Sequence, residues 1–187
     1  MAAVVLSAYT DAWQAAFARV RAELLLAFAP QLVKVEHIGS TAVRGLVAKP
    51  VLNVLLGAKH LSEIESRIQI LAALGYAYVS KYERELPMRR YFVKSASGEL
   101  RVHLHAVVHR SPLWQQHLLF RDALRADAGL ASQYVELKLR LAAAFANDKA
   151  AYTDAKAPFI RSVLAGVGAD DKEDRGQVYG GDVARPS

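Results

Sequence analysis

The apolar residues of this chain change their period twice, and that switch constrains the fold more than any other feature. Trp13, Phe17, Val20, Leu24 and Phe28 recur at the three- and four-residue spacing of one helix face. From Tyr76 to Val108 apolar and polar residues alternate, the pattern of strands with two unlike faces. After Pro112 the helical spacing returns and holds to Leu164. Strands and helices in blocks, rather than in regular alternation, point to an α+β fold. The expectation is a mixed or antiparallel sheet of about four or five strands, with helices on one side and a helical C-terminal part.

Caps and breakers set the boundaries. Thr10 can cap a first helix over residues 10–29, Asp11 suits its positive end, and Pro30 stops it. Short strands follow at 33–38 and 51–56, the second preceded by Pro50. Residues 61–74 read as one helix ending at Gly75. Strands are expected at 76–80, 88–94 and 100–108, with Ala96-Ser97-Gly98 as a hairpin turn between the last two. Helices are expected at 113–125, 130–146 and 150–164. From Gly166 onward large apolar residues are almost absent, so 166–187 reads as a disordered tail behind a single domain over 1–165.

Composition narrows the function classes. The chain has no cysteine, which removes disulfides, thiolate metal sites and a cysteine nucleophile and fits a cytoplasmic protein. Apolar runs such as 23–29 and 51–56 stop well short of a membrane span. The first ten residues lack the basic stretch of a signal peptide. The formal net charge is +6, and since 166–187 holds five acidic residues against three basic ones, the body before it carries +8. A basic body suits an anionic partner, such as a nucleotide or coenzyme phosphate. No dense basic run occurs, which argues against nucleic acid as the partner.

Three segments hold residues with chemistry. Glu36-His37-Ile38-Gly39-Ser40-Thr41 is a strand running into a small-residue turn, where backbone and hydroxyls could meet a phosphate. It matches neither a dinucleotide fingerprint nor a Walker loop, and as a bare Gly-Ser-Thr it also reads as an ordinary turn. In Lys49-Pro50-Val51-Leu52-Asn53-Val54-Leu55 the lone amide of Asn53 needs a partner, either structural or a ligand. In Arg101-Val102-His103-Leu104-His105, residues 101, 103 and 105 share one strand face. That makes either a cationic stripe able to hold metal or phosphate, or an exposed polar face. Arg89 and Arg90 must point to opposite faces of their strand. Arg121 and Arg125 form an i, i+4 pair of like charges, unfavourable unless an anion or carboxylate lies between them. No Ser-His-Asp or lysine-based nucleophile constellation stands out.

These segments, together with Gly45, Phe120-Arg121-Asp122-Ala123-Leu124-Arg125 and Tyr152-Thr153-Asp154-Ala155-Lys156, resemble the GrpB family in the same order, over about residues 9–164. The resemblance implies a fold of the DNA polymerase β-like nucleotidyltransferase superfamily. There, a Gly-Ser opens the element that cradles a triphosphate, and carboxylates on the next strand hold divalent metal. GrpB-like domains also occur fused to dephospho-coenzyme A kinase, which implies a nucleotide or coenzyme connection. At the position after Lys-Pro where the family usually has aspartate, this chain has Asn53, with Leu55 two residues on. The resemblance therefore implies a nucleotide- or coenzyme-binding domain with an altered metal site, able at most to transfer a nucleotidyl group. The expected phosphate ligands are Gly39, Ser40, Thr41, Lys49, Arg90, Arg101 and Arg121. Asn53 is the expected catalytic position, and His103 and His105 the expected ligands of Mg²⁺, Mn²⁺ or Zn²⁺. The competing readings are a catalytically silent interaction or chaperone-like module and an RNA-binding protein.

Overall fold

In a computed structural model, residues 4–95 and 100–167 are described. The turn expected at 96–98 and the tail from 168 onward lie outside the described residues. The chain begins with helix α1 (Ala12–Phe28) and continues into strands β1 (Lys34–Ile38) and β2 (Val51–Ala58). Two short helices, α2 (Leu61–Glu65) and α3 (Ile68–Ala73), lead to strands β3 (Tyr76–Tyr78), β4 (Arg89–Lys94) and β5 (Arg101–Val108). Helices α4 (Pro112–Ala126), α5 (Ala128–Ala144), α6 (Lys149–Asp154) and α7 (Ala157–Gly166) follow. The N-cap position of the first helix is Asp11, whose side chain makes no capping bond; Thr10, one residue earlier, accepts the Ala12 N–H through its Oγ1 at 3.2 Å.

The sheet has the order β1-β2-β5-β4-β3. β2 and β5 run parallel at its centre, and the other pairs are antiparallel. Alternation along the strands gives it two unlike faces. Leu52, Val54 and Leu56 of β2 and Val102, Leu104 and Ala106 of β5 pack against Trp13, Leu24 and Phe28 of α1, Ile64 of α2 and Leu71 of α3. This is the main core, and burying each such side chain stabilises the fold by about 1.5–3 kcal/mol relative to leaving it exposed. The other face carries Asn53, His103 and His105. Its far end is sealed by apolar packing, where Leu113 and Trp114 of α4 meet Ile38, Leu55 and Val107. Helices α4, α5 and α7 build a second core from Phe120, Tyr134 and Ile160, together with Val43 and Leu46 of the loop after β1.

Two helices expected as continuous are broken. Over 61–74 the Ser66 hydroxyl donates to the Glu63 carbonyl at 2.8 Å, competing with the helical ladder. Next to it Arg67 reaches out to Gln31 and the Ala29 carbonyl. Over 150–164 the break follows from Pro158, which has no N–H to continue the ladder. That second break sets α6 and Lys156 against the mouth of the open sheet face.

Candidate phosphate-binding cleft

The open half of the second sheet face is walled on one side by the loop after β1 and on the other by α5 and α6. The loop turns sharply at Gly39, whose φ of 70° and ψ of −173° favour glycine. A short 3-10 turn over Ser40–Ala42 follows. The Ser7 and Ala48 backbones pair in both directions, at 2.8 and 3.0 Å, and so anchor the far end of the loop. From below, α4 holds the loop with two arginines. Arg121 donates to the His37 carbonyl at 3.1 Å, and Arg125 donates to the Ala42 carbonyl at 2.8 Å.

These walls enclose a cleft of about 340 Å³. Ser40, Thr41, Lys49, Asn53, Arg101 and His103, all expected from the sequence, line it together. Lys138 of α5, Lys149 and Tyr152 of α6, and Lys156 also line it. Among the described residues the lining thus holds five side chains that carry full positive charge in their ordinary state and no aspartate or glutamate. Lys49 Nζ lies 4.4 Å and Lys156 Nζ 4.7 Å from the centre of the Tyr152 ring. Each ammonium is within cation–π range of that ring.

The hydroxyls of the loop divide their work. Thr41 is buried, and its Oγ1 donates to the Val51 carbonyl at 3.4 Å and lies 3.0 Å from His37 Nε2, so it ties loop to sheet. Ser40 faces Lys138, whose ammonium donates to Ser40 Oγ at 3.1 Å and to the Val47 carbonyl. Lys138 is only 2% exposed. Burial, and after it the charge of Lys156, pulls its pKa from 10.5 down to about 7. Asn53 sits in register with His103 on the neighbouring strand. His105 lies deeper and is buried. Its Nδ1 is 3.2 Å from Arg89 Nη1, and its Nε2 is 3.5 Å from Asn53 Oδ1.

Two expected phosphate ligands lie elsewhere. Arg90 falls on the opposite face of β4, where it pairs with Glu65 at 2.6 Å and donates to the Pro87 carbonyl. Strict alternation gives Arg89, not Arg90, to the face of the histidines. Arg121 is buried behind the loop between Glu36 at 2.8 Å and Asp122 at 2.8 Å. Asp122 is also 3.5 Å from Arg125, so it is the carboxylate that makes the like-charged helical pair tolerable.

The donors do not fit a divalent cation. Among the described residues no three His, Asp or Glu side chains converge. His105 meets a guanidinium directly, and the cleft beside His103 is lined by cations. Lys138 and Lys149 were passed over in the sequence, and Tyr152 and Lys156 stood in a family motif without a site role. Lys138 did leave a signal, since it interrupts the apolar face Leu130, Tyr134, Leu141 of α5 at helical spacing.

Comparison with known proteins decides the family. The family model described as GrpB protein matches residues 3–165. The chain belongs to the GrpB family. The UPF0157 protein YqkA of Bacillus subtilis is 31% identical over 154 residues, which cover 82% of this chain and 44% of YqkA. A crystal structure of GrpB from Enterococcus faecalis superimposes with a TM-score of 0.78 at 29% identity, covering 87% of this chain and 96% of that one. The α+β fold with its five-stranded mixed sheet is therefore that of a GrpB protein. A dephospho-CoA kinase of Mycobacterium leprae is 25% identical over 173 residues, 79% of this chain and 42% of the kinase. The GrpB-family chain thus spans less than half the length of YqkA and of the kinase. Among the described residues no helix is long and apolar enough to cross a membrane.

Proposed function

We propose that this GrpB-family protein binds a nucleotide or nucleotide-containing coenzyme through its phosphates, in the cleft between the Gly39–Ala42 loop and helices α5 and α6. The observation that carries the reading is the lining itself, the four cations Lys49, Arg101, Lys149 and Lys156 beside the buried amine of Lys138, with no carboxylate among the described residues. A bound polyphosphate could meet several of these charges at once through charge-assisted contacts. The similarity to a dephospho-CoA kinase supports a ligand of the nucleotide-coenzyme class.

In this reading Lys49, Lys149, Lys156 and Arg101 neutralise phosphate oxygens. Ser40 and Asn53 contribute hydrogen bonds at the sheet end of the cleft, and His103 closes its floor. Metal-assisted nucleotidyl transfer forms no part of it, because the donor set does not fit the cation. A thermal-shift screen against ATP, GTP, CTP, coenzyme A and dephospho-coenzyme A tests the proposal. A ligand at 100 times its Kd stabilises the fold by about 2.7 kcal/mol. At least one of these compounds is expected to raise the melting temperature, with the effect shrinking at high salt as exposed charges are screened. No shift with any of them overturns the reading.

A further inference from the structure

The sequence shows no lysine-based nucleophile, because its two members are 98 positions apart. The fold brings them together. Ser40 lines the cleft, and its Oγ is 3.1 Å from the Nζ of Lys138, a buried lysine. We propose that Ser40 is a nucleophile toward phosphorus and that Lys138 is the general base that activates it. For its ligand class, a phosphate ester or anhydride held by the surrounding cations, the inference rests on the phosphate-binding reading of the same cleft.

Three features of the surroundings suit this pairing. First, Lys138 is nearly inaccessible to water and, among the described residues of the cleft, faces no carboxylate that would fix it as a permanent ion pair. Its pKa of about 7 puts a neutral amine within reach at ordinary pH, as a base working near neutrality requires. Second, the Val47 carbonyl takes one of its N–H groups. That contact orients the amine, and the neutral form would turn its lone pair toward Ser40 Oγ. Third, Nζ sits 4.9 Å from the centre of the Tyr134 ring, whose π-face stabilises the ammonium once it forms.

The step balances with these groups alone. The neutral Lys138 amine takes the Ser40 hydroxyl proton and becomes an ammonium. The Oγ–P bond forms while the bond from phosphorus to the leaving oxygen breaks, and the leaving group departs with the bonding pair. Lys49, Lys156 and Arg101 lie around the same space and would offset the charge on the transferring group. The charge that bears on Lys138 is that of Lys156, and Tyr134 on its own helix lies against it; Lys49, Lys149, Tyr152, Arg101 and His103 are the other charged and titratable groups that line the same cleft.

The test is covalent labelling of the purified full chain with diisopropyl fluorophosphate, read by intact-mass and peptide mass spectrometry across neutral and alkaline pH. In this probe the bond that breaks is P–F. The expected result is a single adduct on Ser40, with a labelling rate that rises through neutrality and then levels once Lys138 is neutral. Ser40→Ala removes the adduct. Lys138→Arg, which keeps a positive charge but cannot lose its proton, lowers the rate at least tenfold. An unlabelled Ser40, or a rate that keeps climbing with hydroxide as for an ordinary serine, overturns the proposal. The wild-type pH profile decides the matter even where Lys138→Arg does not fold. A chain that binds ATP without labelling at Ser40 defeats this inference and leaves nucleotide binding standing. Labelling at Ser40 without any nucleotide binding does the reverse.

Discussion

The backbone of Gly39 lies directly against the side chain of Asn53. A Cβ built on Gly39 would come within 3.1 Å of Asn53 Nδ2, and the φ of 70° is one that other residues rarely adopt. Close approach and backbone conformation therefore both require glycine, and together they fix where the Ser40 hydroxyl stands relative to the sheet. Gly39→Ala is expected to lower stability by about 1–3 kcal/mol. Urea denaturation with an unchanged slope and a lower midpoint would register it.

Arg121 is expected to matter for stability and hardly at all for ligand contact. It is buried between Glu36, Asp122 and the His37 carbonyl. Arg121→Met should cost about 1.5–3 kcal/mol, the range for a lost hydrogen bond to a charged group. Nucleotide affinity per folded molecule should stay within about threefold, as checked by calorimetry below the melting transition, since 0.6 kcal/mol is all that a shifted loop needs to contribute.

His37 gives the fold an acid limb. It is buried, stacked on Phe17 with ring centres 4.7 Å apart, and bonded to Thr41. Burial first, then Arg125 and Arg121, lowers its pKa from 6.5 to about 4. Between those values the unfolded chain binds the proton and the folded chain does not. Stability is therefore full above about 6.5 and falls as pH drops toward 4, with a slope of at most about 1.4 kcal/mol per pH unit from this group. His37→Gln should flatten that limb in a series of urea melts at stepped pH.

Much of this was legible in the sequence because it depends on local spacing. Alternation alone places Arg101, His103 and His105 on one face and separates Arg89 from Arg90. Gly39-Ser40-Thr41 after a strand marks a turn beside Asn53. The helix breaks at Ser66 and Pro158 were missed although their causes are local, a hydroxyl that competes for a carbonyl and a missing N–H. The long-range part was not legible. Arg121 looked like a phosphate ligand because its partner Glu36 is 85 positions away. Lys138 was given no role from the sequence, because its partner Ser40 is 98 positions away. Charge at a site is a sum over elements that meet only in three dimensions, so composition gave its sign and could not give its place.

The central claim is that the cleft binds phosphates by charge, and calorimetric titration with ATP in low and moderate salt tests it most directly. The protein should bind ATP with one site per chain. Lys49→Gln and Lys156→Gln should each weaken binding about tenfold or more, since a charge-assisted contact contributes about 1.5–3 kcal/mol. Arg90→Gln, whose guanidinium pairs with Glu65 on the opposite face, should bind as the parent does. Equal loss in all three variants, or no heat of binding from the parent protein with ATP or dephospho-coenzyme A, would contradict the account.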